Sequence, residues 1–352
     1  MSWNRKRLGQ GAKLVLAVLI GAGVAIHFVR ILQQPELDPY PFALRIGYLI
    51  PAGALYLLAH CCWGGFWVRL LRNQGIRVSL GVGLRAYFVS QFGKYIPGKV
   101  WVIGMRVAML RGVGGRPDRD WLPVAVTATY ETLTSMAAGA IIAAVFLPWV
   151  GVLPDSVAQY TWIVAVVGVL PLTLGALNKV VARRVDARRG PDAAPLPSPP
   201  LGLLLQGLLQ VTVGWCLLGV SLALTVRAVA HAPPTWDFEI ALCDLGALGM
   251  SYVAGFVVLV APGGLGVREL VLEYALRPRF EPTLGLALAD AQAVVVALIL
   301  RLTWTIAEVV CALGLYAWKP GASLASNGTT PPGGEPRLSG DPADGKPEPR
   351  HV

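Results

Sequence analysis

The run VLVAPGGLGVRELVLEYAL, residues 258–276, decides how this chain is read. It opens apolar, breaks at Pro262 and three glycines (Gly263, Gly264, Gly266), then resumes with Arg268 and Glu269. QFGKYIPGKVWVIGMRVAML, residues 91–110, echoes it: Pro97 and Gly98 interrupt an apolar stretch that carries Lys94, Lys99 and Arg106. A simple membrane anchor would carry neither the helix breakers nor the charges.

The surroundings are those of a membrane. Only 14% of the 352 residues are charged and the mean hydropathy is +0.59, whereas soluble domains carry about 25% charged residues. A bilayer span needs about 20 predominantly apolar residues. The stretches 14–32, 43–68, 122–150, 161–177, 201–226, 240–261 and 284–318 are candidates. The expected fold is therefore an all-α polytopic membrane protein of about six to eight transmembrane helices. The first apolar stretch follows Arg5, Lys6, Arg7 and Lys13 but has no small-residue cleavage site before a polar region, so it reads as a retained span. Cys61, Cys62, Cys216, Cys243 and Cys311 all lie in apolar segments without CxxC spacing, and imply neither disulfide nor metal. No cofactor is expected.

The net charge of +10 reads as topology rather than as a nucleic-acid surface. Basic residues gather at the N-terminus, at Arg69, Arg72, Arg77 and Arg85, at Arg111, Arg116 and Arg119, and from Lys179 to Arg189. The alternate loops differ: residues 33–41 hold two acids and no base, and residues 151–157 hold only Asp155. Arg30 and Arg45 are mild exceptions. This positive-inside bias predicts a cytoplasmic N-terminus. Residues 321–352, rich in Pro, Gly and Ser, are expected to form a disordered cytoplasmic tail, where the sequon at Asn327 would stay unglycosylated.

Superimposing Pro97 on Pro262 gives an offset of 165 residues that also aligns Tyr87 with Tyr252, Gly98 with Gly263 and Val102 with Val267. Two repeat halves follow, about 43–150 and 201–318. Three crossings between their first spans would invert one half relative to the other, the build of many transporters. Residues 79–110 and 240–276 then read as re-entrant hairpins broken at Pro97-Gly98 and Pro262-Gly263, and with six full spans both termini face the cytoplasm. The alternative is two ordinary spans kinked at proline. Irregular backbone at membrane depth persists only where it lines a cavity or is buried in protein.

Eleven charges fall in or beside these segments: Lys94, Lys99, Arg106, Glu131, Asp244, Arg268, Glu269, Glu273, Asp290, Arg301 and Glu308. Such residues face cavities or pair with one another. With a short insertion between the halves, YETL around Glu131 and LRLT around Arg301 come into register, which suggests a central Glu131–Arg301 pair or a two-sided polar cavity. Lys99, Arg106, Arg268 and Arg301 are candidate phosphate ligands, since guanidinium forks suit phosphate oxygens and glycine-rich turns expose backbone N–H groups. Glu131, Glu269 and Asp290 are the candidate acidic groups. An apolar rim beside such a site suits a phosphate-bearing amphiphile.

GKYIPGKVWVIGMR followed by YE, then APGGLGVRE followed by LRLTW, resembles the lysylphosphatidylglycerol synthase transmembrane region, the flippase-like domain also found in stand-alone membrane proteins. The resemblance covers roughly residues 10–318. It implies a bacterial inner-membrane protein of lipid translocation, with a membrane phospholipid or a polyprenyl-phosphate-type lipid as its ligand. It also allows a non-transporting scaffold for a membrane-bound lipid synthase or glycosyltransferase. Pro97, Gly98, Lys99, Arg106, Glu131, Pro262, Gly263, Gly264, Gly266, Arg268, Glu269 and Arg301 are the positions that match its motifs. The first box departs from the family's glycine-rich pattern, reading PGKVW. Only the short tail follows the membrane region, so aminoacyl transfer is not implied.

Two nucleotide motifs are decoys. GKYIPGKV puts Val100 where a P-loop needs Ser or Thr, and GLGVRE puts Glu269 where a dinucleotide fingerprint needs its third glycine. The four histidines offer no HExxH, and the one histidine after Ser251 is His351, in the tail. The sequence reads as a non-enzyme.

Overall fold

The computed structural model describes residues 19, 21–34, 44–96, 100–111, 113, 121–146, 148, 183, 197–229, 237–258 and 262–318. The residues described are helical or in connecting turns, and five helices are long and apolar enough to cross a membrane. The chain is thus an all-α polytopic membrane protein. The expected span at 161–177, the tail at 321–352, and Pro97, Gly98 and Lys99 lie outside the described residues.

The elements run in two similar series. A short helix, α1 (Gly21–Leu32), comes first. The first series is α2 (Ile46–Asn73), α3 (Leu80–Ser90), α4 (Val100–Met109) and α5 (Leu122–Phe146). The second is α6 (Leu201–Val229), α7 (Phe238–Val257), α8 (Val267–Leu284) and α9 (Leu286–Ala317). In each, a long helix, a broken pair and another long helix follow one another. A 3₁₀ turn at Gln91–Tyr95 ends α3, and another at Pro262–Gly264 precedes α8.

Helix boundaries follow local chemistry. The 43–68 span runs on to Asn73 because its basic end is held: Arg72 donates from Nε to the Val78 carbonyl at 3.1 Å, and Arg69 bonds Gln206 and Gln210 on α6. Gly75, at φ +76°, then closes α2, with Ile76 N–H bonded to the Leu71 carbonyl and Gly75 N–H to that of Arg72. Ser79 caps α3 by accepting from Val82 N–H. The 240–261 span proves to be α7, which stops at Val257, short of Pro262.

The core is a seam of α2 against α6, with α5, α7 and α9 around it. Small residues let backbones close up, as in other membrane bundles. A Cβ at Gly249 of α7 would lie 2.8 Å from the Gly139 carbonyl of α5. Buried tryptophans find partners: Trp63 donates to the Val211 carbonyl, Trp67 to Thr127, Trp215 to the Ser135 carbonyl and Trp304 to Ser221. Ile50, Leu209 and Val310 point outward and largely exposed, the arrangement of helices wetted by lipid. Val24, Phe28 and Ile31, one stripe of α1, pack on Ala291 and Val294 of α9.

Candidate functional site

The two breaks meet. The turn at Gln91–Tyr95 packs against the turn at Pro262–Gly264, and a Cβ on Gly263 would come within 3.5 Å of the Lys94 carbonyl. Gly263, Gly264 and Gly266 all take positive φ, at +60°, +72° and +82°. A side chain is strained in that region, so three glycines in five residues let the chain reverse into α8. Glu269 secures the new helix by accepting from Gly266 N–H at 2.7 Å.

Four cations converge near this junction, and three of them are paired. Arg106 of α4 donates from Nη1 to Glu131 of α5 at 2.9 Å and from Nε to Ser90 at 3.3 Å. Its guanidinium lies 4.6 Å from the ring centres of both Trp67 and Tyr87, and the residue is 2% exposed. Tyr87 also donates to Glu131, at 3.4 Å. Lys94, at the first break, bonds Glu308 of α9, which accepts from Tyr56 of α2 at 2.8 Å. Arg301 of α9 approaches Glu269 of α8 at 3.4 Å.

Arg268 is the exception. Its guanidinium lies 3.8 Å from the ring centre of Tyr252, a cation–π contact, yet its buried Nε has no hydrogen-bond partner. Gly255 and Gly264 make room for it: a Cβ at Gly255 would sit 2.4 Å from Arg268 Cγ, and one at Gly264 would sit 2.8 Å from Nε.

A cavity of about 330 Å³ opens over these groups. Lys94, Arg106, Arg268 and Glu131 line it, with Gly263 and Gly264. Its apolar side includes Ile103, Ala128, Leu133, Met136 and Phe256. Leu133 is 44% exposed and stands at the middle of α5, so the cavity reaches the outer apolar surface at mid-length of a spanning helix. A second pocket of about 20 Å³, room for one water, lies beside Arg268 and is lined by Glu269 and Arg301.

Several expectations are corrected by this geometry. Glu131 and Arg301 do not form the expected pair, because each sits beside the second arm of its own half's broken pair: Glu131 beside α4, Arg301 beside α8. Their register is still visible, since the two halves build equivalent bridges with the polarity reversed. Arg301 and Glu269 border the small pocket and not the main cavity. Asp290 leaves the site altogether, 3.2 Å from Arg277 of α8, because the turn at Gly285 folds the start of α9 back along α8.

The block Lys94, Glu308 and Tyr56 was not singled out as a site from sequence. Glu308 stands seven residues after Arg301, two helical turns along the same face, and that spacing was the available signal. Tyr87 and Tyr252, aligned by the repeat offset, turn out to be the platforms under Arg106 and Arg268. Among the described residues no cluster of His, Cys, Asp or Glu has the makings of a metal site. No protein-family model matches the chain, and no curated protein sequence matches it.

Proposed function

We propose that this protein moves a phosphate-bearing lipid across a bacterial inner membrane, taking the headgroup into the cavity between the breaks while the acyl or prenyl tails stay in the bilayer. The observation that carries this reading is Arg268: a half-buried arginine facing a cavity, whose buried Nε is unpartnered and which has no carboxylate of its own among the described residues. A buried donor left without a partner costs about 1–3 kcal/mol, more when charged, so an anion that completes it binds favourably. The cavity is large enough for a ligand's polar part, by the about 300–1,000 Å³ of ordinary ligand sites. Its opening at Leu133 suits an amphiphile entering sideways.

The two broken pairs act in this reading as re-entrant hairpins of inverted halves. α3 and α4, of 11 and 10 residues, each reach about 15 Å, half of a hydrocarbon core about 30 Å thick. α8 has 18 residues, of which six are charged, so it too is a poor span. Both termini and the basic loops then face the cytoplasm. The resemblance to the lysylphosphatidylglycerol synthase transmembrane region points the same way. The rival reading, a scaffold for a lipid synthase or glycosyltransferase, has no need of a charged cavity.

Reconstitution into vesicles with a panel of fluorescent phospholipids and polyprenyl phosphates tests the proposal. A membrane-impermeant quencher should reach inner-leaflet lipid faster in proteoliposomes than in empty vesicles. Equal rates for every anionic lipid would overturn it.

A further inference from the structure

The charges around the cavity limit the headgroup further, if the proposed function holds. Among the described residues, those lining the cavity and its small neighbour, together with Glu308, hold four cations and three carboxylates. Each carboxylate is committed: Glu308 to Lys94, Glu131 to Arg106, Glu269 to Arg301. Among the described residues one positive charge, on Arg268, is left over.

We infer that the ligand is a phosphodiester lipid carrying one negative charge and an uncharged polar headgroup, such as a polyol or a sugar. A phosphodiester bears a single charge, which Arg268 matches. A terminal phosphate monoester carries about −1.5 to −2 at pH 7, and its second charge would enter the site without a cation unless an existing pair were broken. A zwitterionic headgroup has the opposite fault. Its ammonium adds a positive charge, and each of the three carboxylates is already balanced by a protein cation. Ile103, Leu133, Met136 and Phe256 also line the cavity, and they offer a neutral headgroup apolar contact without adding charge.

The test is equilibrium binding of short-chain lipids to the full chain in detergent, read by calorimetry. Dihexanoyl phosphatidylglycerol is the diester, dihexanoyl phosphatidic acid the monoester and dihexanoyl phosphatidylethanolamine the zwitterion. A short polyprenyl phosphoglucose beside its polyprenyl phosphate asks the same question of the other lipid source, and the tighter of the two diesters identifies that source. Each diester should bind about tenfold or more tightly than its monoester, and phosphatidylglycerol by the same margin over phosphatidylethanolamine. Arg268→Gln should erase that preference, while Arg268→Lys, which keeps the charge, should retain it at lower affinity. Monoesters binding as tightly as diesters, or a preference that survives Arg268→Gln, would overturn the inference and leave an anion site in place. Absence of binding by every anionic lipid would overturn the proposed function along with it.

Discussion

Arg106 reaches Glu131 at 2.9 Å within the first half of the chain, although Arg301 stands at the repeat position that matches Glu131. Both partners are almost wholly buried. Removing one member of a buried pair strands the other and costs about 3–5 kcal/mol, whereas removing both is often close to neutral. Glu131→Gln should therefore reduce folded yield sharply, and adding Arg106→Gln should restore most of it. Adding Arg301→Gln instead should restore nothing. Size-exclusion profiles in detergent decide between the two double variants.

Lys94 and Glu308 tie the first break to the last helix, across the two halves. Glu308 also accepts from Tyr56, whose ring stacks on Trp304 at 5.0 Å. Lys94→Met should lower the thermal midpoint in detergent by leaving Glu308 charged and buried. Lys94→Met combined with Glu308→Gln should recover most of the loss. Additive losses would mean that the two side chains do not depend on each other.

Glycine substitutions separate space from backbone strain. Gly264→Ala would meet both: the new Cβ would sit 2.8 Å from Arg268 Nε, at φ +72°. Gly255→Ala is a case of space alone, inside α7 and 2.4 Å from Arg268 Cγ. Gly285 also has positive φ, +75°, but nothing lies within 4 Å of its Cβ position. Gly264→Ala and Gly255→Ala should both weaken lipid binding. Gly285→Ala should cost only about 1 kcal/mol of stability and leave binding unchanged. Binding isotherms and thermal midpoints on the three variants read the two effects apart.

The sequence made the second break legible because its chemistry is local: a proline followed by three glycines in four residues turns the chain, and all three glycines take positive φ, whereas the isolated Pro51, Pro278 and Pro282 sit inside helices. The long helices were legible for a similar reason, with Leu201–Val229 and Leu286–Ala317 beginning and ending close to the hydropathy edges. Partner choice was not legible. Register between halves aligned Glu131 with Arg301, but register says which positions are equivalent and not which ones touch. Asp290 misled because an acid near an apolar run looks the same whether it faces a cavity or an arginine on the next helix. Gly255, which makes room for Arg268, carries no mark in a helix that holds two other glycines.

Topology follows from the positive-inside pattern and the proposed inverted halves. Single cysteines placed at Glu36 and Arg184, in a background lacking the native cysteines, should label differently in intact cells. An impermeant maleimide should reach position 36 and should reach position 184 only after lysis. Equal labelling would rule out the proposed arrangement.

The central claim is that Arg268 receives the lipid phosphate, and lipid flux in proteoliposomes tests it most directly. Wild type, Arg268→Lys and Arg268→Gln would be reconstituted at equal density, with the leaflet exchange of fluorescent phosphatidylglycerol followed by quenching. The account predicts rapid exchange for wild type, slower exchange for Arg268→Lys, which keeps the charge but loses the fork, and the rate of empty vesicles for Arg268→Gln. Exchange by Arg268→Gln at the wild-type rate would contradict it.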